Sequence, residues 1–129
     1  MTDAHQVLAR GVVALTIALL LAALWSVAAA RASGGARDHR FAVDRLVLVA
    51  VGAIAANVIV GALLVVGGAR PADPLHLLYG VTSVVTIPLA WSLGGRSIRG
   101  APSRALRDAW VAVAAAILLG IQLRLFTTG

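Results

Sequence analysis

The chain is 129 residues long, 60% hydrophobic and 12% charged, with a net charge of +6 and no cysteine. Its mean hydropathy is +0.96. A soluble domain carries about a quarter charged residues, so this balance argues against a soluble enzyme, a nucleic-acid binder or a disordered tail, and the missing cysteine excludes disulfides, thiolate metal sites and thiol nucleophiles.

A helix needs about 20 apolar residues to cross a bilayer. The first charge-free run, 11–30, predicts a helix over about residues 8–30. Ala14, Ala18, Ala22 and Ser26 recur every fourth residue along it, a packing seam of small residues. Leu15, Leu19 and Leu20 then fall to lipid. Arg10, the apolar run and Ala28-Ala29-Ala30 also fit a signal peptide. That alternative is disfavoured because the run exceeds a usual signal-peptide core and cleavage would place the following Arg cluster outside. The second run, 46–69, predicts a helix over about 45–67. Gly52 and Ala56 form its seam, and Asn57, one step round, needs a hydrogen bond from a neighbouring helix.

The third run, 74–95, predicts a helix over about 74–94. At 100° per residue His76, Tyr79, Gly80, Ser83 and Ala90 share one face. Such a polar stripe on a spanning helix should face protein or a ligand. Thr86 flanks it, and Pro88 should kink the last third. The fourth run, 109–123, is short, and snorkelling of Arg124 extends the helix to about 107–126. Ala112, Ala116 and Gly120 are its small residues. Arg124 can reach headgroups, Asp73 or a bound anion, while Gln122 points nearly the opposite way.

The connections set the orientation. Arg31, Arg37, Arg40 and Arg45 lie in the first, and Arg96, Arg99, Arg104 and Arg107 in the third, against Arg70 alone in the second. The positive-inside rule puts both Arg-rich loops in the cytoplasm and both termini outside. Trp25, Trp91 and Trp110 then fall at cytoplasmic helix ends, and Tyr79 and Phe126 toward the outer side. Short links favour an all-α, up-down-up-down bundle of four transmembrane helices, a single domain over residues 1–129. Asp44-Arg45 before the second helix and Arg107-Asp108 before the fourth hint at a duplicated hairpin.

The run Asp73-Pro74-Leu75-His76-Leu77-Leu78-Tyr79-Gly80, with Pro88 and Arg124 following, resembles a set of small four-helix bacterial membrane proteins of unassigned activity. Helices 3 and 4 are also loosely similar to half of a haem A synthase or cytochrome b561-like four-helix module. The resemblance implies haem b as cofactor, His76 as its iron ligand and Arg124 as a propionate partner, with Tyr79 and Ser83 beside it. A second ligand would be His5, in a terminus expected to fray, or His76 of a second copy. The bland alternative is a His76 hydrogen-bonded to Asp73, Tyr79 or a neighbour.

The apolar runs hold no Asp or Glu, which disfavours proton- or cation-coupled transport. No Walker loop, metalloprotease motif or nucleophile elbow is present, so the chain leans away from being an enzyme. The leading reading is an accessory or interaction subunit of a membrane complex in the bacterial cytoplasmic membrane. Its partners are the lipid bilayer, other membrane subunits or copies of itself, and no nucleic acid. The alternatives are a haem- or quinone-binding electron-transfer module at the outer end of helix 3, and a small permease or channel.

Overall fold

The computed structural model describes residues 2–32, 40–70, 73, 75–94 and 104–128. These form four helices: α1 (Thr2–Ala32), α2 (Arg40–Val66), α3 (Leu75–Gly94) and α4 (Arg104–Thr128). Each is long and apolar enough to cross a membrane, which makes the chain a multi-pass membrane protein. The helices outrun the apolar runs. α1 has 31 residues, or about 46 Å at the α-helical rise. Asp3 in its first turn and Arg31 in its last complement the macrodipole, so the charged flanks stay helical.

Helix ends carry their own signals. Gly67-Gly68 closes α2 in a Schellman turn. Ala69 N–H donates to Leu64 O at 2.9 Å and Gly68 N–H to Val65 O at 3.0 Å. Gly68 has φ +94°, a left-handed value that only glycine adopts cheaply. At the start of α3 the Asp73 carboxylate accepts from Leu75 N–H at 2.8 Å, an N-cap that orients the first turn. α3 then runs unbroken through Pro88, whose ring lies on the exposed side.

α1 packs against α2 and α4, α3 packs against α4, and α2 meets α3 over a smaller area, so the four helices close a ring. The core is a column of Val12, Leu19, Ala23, Val43, Ile54, Ile87, Val111 and Leu118, among others. Large apolar residues such as Leu21, Leu48, Ile59 and Val85 face outward, as lipid contact requires.

The small-residue seams face the core only in part: Ala112 is buried in it, Ala22 packs against it and Ser26 bonds across to α4, but the rest turn outward. Ala14, Ala18, Gly52, Ala56 and Gly120 are exposed, and Ala22 and Asn57 are half-buried. Leu19, expected in lipid, is 0% exposed. The inward row of α1 is Val12, Thr16, Leu19 and Ala23. Polarity decides this. The Gln122 side-chain amide donates to Thr16 Oγ at 3.0 Å, a buried contact between α4 and α1. Thr16 also donates to Val12 O at 2.8 Å. A glutamine amide cannot be left to lipid, and turning Thr16 inward to accept from it sends Ala14 and Ala18, two residues away on either side, about 160° round the helix.

Candidate functional site

The polar face of α3 is largely satisfied within its own helix. Ser83 Oγ donates to Tyr79 O at 2.8 Å, Thr82 to Leu78 O at 2.8 Å and Thr86 to Thr82 O at 2.7 Å. Such back-bonding is how hydroxyls survive in apolar surroundings. Ser83 and Ala90 are buried, whereas His76, Tyr79 and Gly80 are half-buried. The face therefore turns inward, as its composition predicts. Arg124 is exposed, on the other side of α4 from the buried Gln122.

His76 does find a partner. His5 lies in the first turns of α1, inside a regular helix rather than a frayed end. Its ring centroid is 6.3 Å from that of His76, with the ring planes at 56°. The pair joins α1 to α3 across the ring of helices. Gly61 of α2 lies beside the pair, where a Cβ would stand 3.4 Å from His5 Cε1, an ordinary van der Waals contact. His5 Nδ1 is buried and has no hydrogen-bond partner.

The two imidazoles that the haem resemblance invokes are thus brought together, with Gly61 of α2 alongside the Cε1–Nδ1 edge of His5.

The opposite end of the bundle holds a polar junction that the sequence reading did not assemble. Ser26 Oγ of α1 donates to Asp108 Oδ2 of α4 at 2.6 Å. Arg107 donates to Asp44 Oδ1 of α2 at 2.9 Å. Its guanidinium carbon sits 4.7 Å from the centre of the Trp91 ring of α3, a cation–π contact. Arg107 Nε and Asp108 Oδ1 are 3.7 Å apart. Gly94 lets α3 approach this closely, for its Cβ would come within 2.6 Å of Arg107 Cα. Each of the four helices supplies a member of the junction. The sequence signals were Asp44-Arg45 and Arg107-Asp108, which sequence alone suggests as topology charges and as traces of a duplicated hairpin.

Asp108 also corrects the account of buried acids. The fourth apolar run begins at residue 109, but α4 starts at Arg104 and carries Asp108 inside with 4% exposure. A buried carboxylate is therefore present. Its contact with Ser26 and its proximity to Arg107 give it a structural use, because a buried charge needs partners.

Comparison with known protein families, with curated proteins and with solved structures finds no match to this chain.

Proposed function

We propose that the protein is an accessory or interaction subunit of a membrane complex, working by lateral association in the bilayer. One observation carries this reading: most of the small residues expected inside the bundle, Ala14, Ala18, Gly52, Ala56, Ala116 and Gly120, stand on its outside. A Cβ at Gly11, Gly52 or Gly120 would meet nothing within 4 Å. Ala14, Ala18 and Ala56 are exposed beside them. Lipid gains nothing from a missing side chain, whereas a helix of another membrane chain gains close backbone approach, which drives association where hydrophobicity cannot. We assign these faces to helices of a different membrane protein.

The orientation belongs to the same proposal. The charge bias puts both termini outside and the Arg-rich connections in the cytoplasm of an up-down-up-down bundle in the bacterial inner membrane. The association test is co-purification in mild detergent. Ala18→Leu and Gly52→Leu should release the partner chain while leaving the thermal stability of the released subunit unchanged. Retention of the partner by both variants would contradict the reading, and release of a second identical chain would replace the partner with a homo-oligomer.

Asp108 favours a second reading, a small permease, because it supplies the buried carboxylate that coupled transport uses. Proton or cation flux into liposomes that is abolished in Asp108→Asn would support it. Flux equal to that of empty vesicles would remove it.

A further inference from the structure

We propose that His5 and His76 form a binding site for a zinc-class divalent ion at the end of the bundle opposite the Asp108 junction. The proposal is independent of the association reading and stands on the geometry of the pair.

Imidazole nitrogens bind zinc at about 2.0–2.1 Å, and on a tetrahedral ion this places two ring centroids roughly 5 Å apart. The observed separation is 6.3 Å. Binding therefore draws the two rings about 1 Å closer, the order of shift that side-chain rotation supplies. His5 Nδ1 is buried and unpartnered, an orphan donor or acceptor that the packing otherwise leaves unexplained. Nothing else in the structure uses it. Asp73, three residues before His76, spends one carboxylate oxygen on capping Leu75, so it holds the backbone of the His76 turn rather than joining the ion.

The ligands come from helices that are not neighbours in the ring, so an ion would bridge α1 and α3 directly. Imidazole suits zinc, copper and nickel rather than magnesium or calcium. Among the described residues no third His, Asp or Glu completes a metal cluster. Structural zinc sites use four protein ligands and catalytic ones three. Two protein ligands at a helix end therefore hold the ion with water in the other positions, and the ion exchanges rather than folding the chain.

The test uses the full chain in mild detergent with an affinity tag that contains no histidine. The protein is dialysed to equilibrium against Zn²⁺ in the same detergent, and the metal it retains above the bath is measured by mass spectrometry. The wild type and His39→Ala should retain one Zn²⁺ per chain, and His5→Ala and His76→Ala none. Melting without metal separates folding from binding. A second measurement needs no variant: Zn²⁺ should protect His5 and His76, but not His39, from diethyl pyrocarbonate. Wild type that retains no zinc, zinc kept by either the His5 or the His76 variant, or equal reactivity of the three histidines with and without zinc would overturn the site. A stoichiometric haem band on reconstitution with haem b, lost in both variants, would overturn the assignment to a bare ion.

Discussion

At the scale of single residues, the junction around Asp108 carries the sharpest expectations. Asp108 is 4% exposed and holds Ser26 across the α1–α4 interface at 2.6 Å. Removing one partner of a buried charged pair costs about 3–5 kcal/mol because the other is left uncompensated. Asp108→Ala should fall near the low end, about 3 kcal/mol, since Arg107 keeps Asp44 and Trp91. Ser26→Ala should cost about 1–2 kcal/mol. The two losses should add to less than their sum, because both remove the same bond. Unfolding in a denaturing-detergent titration measures all three variants, and full additivity would show that the bond contributes nothing. Gly94 gives a second contrast. Gly94→Ala drives a methyl group to within 2.6 Å of the Arg107 backbone and should cost about 1–3 kcal/mol. Gly52→Ala meets open space and should leave the isolated subunit unaffected. The sequence displayed both charged dipeptides at the junction but not their pairing. Asp44 and Arg107 are 63 residues apart, and flanking charges serve topology as readily as they serve contacts.

At the scale of elements, helix existence was readable because crossing the bilayer demands long charge-free runs. Helix facing was harder. In a soluble bundle a polar outer face marks the inside by contrast. Here both faces of α1 are apolar, and the small-residue rule pointed to Ala14 and Ala18, which are exposed. The deciding residues were polar ones. Thr16 and Gln122 bond each other at 3.0 Å and fix the rotation of α1 and α4 together. The stripe on α3 turned inward at Ser83 and Ala90, whereas Thr82 stays exposed because its hydroxyl is satisfied by Leu78 O. Leu19→Ala should therefore cost about 2–5 kcal/mol, and Ala18→Leu should leave the subunit's own stability nearly unchanged. Because the chain has no cysteine, Thr16→Cys combined with Gln122→Cys offers a clean cross-link. Oxidation should join the pair, whereas Ala18→Cys with Gln122→Cys should stay reduced. The reverse pattern would restore the alanine seam to the interior.

At the scale of the whole molecule, two chemically different ends bound an apolar bundle. One end gathers Arg107, Asp108, Asp44 and Ser26, and the other brings together His5 and His76. The proposed topology puts the first end in the cytoplasm. A reporter that is active only outside the inner membrane should work when fused after Gly129, and activity from a cytoplasmic reporter at that position would invert the topology. Between the ends the outer surface is apolar but uneven, with glycine and alanine gaps on α1, α2 and α4. The most direct test of association through those gaps is photo-cross-linking in native membranes, with Ala18 replaced by a photoreactive phenylalanine derivative and the same replacement at Leu21 as the lipid-facing control. The account predicts a discrete adduct with a second, different membrane protein from position 18 and labelled lipid from position 21. Lipid labelling alone at both positions would contradict it.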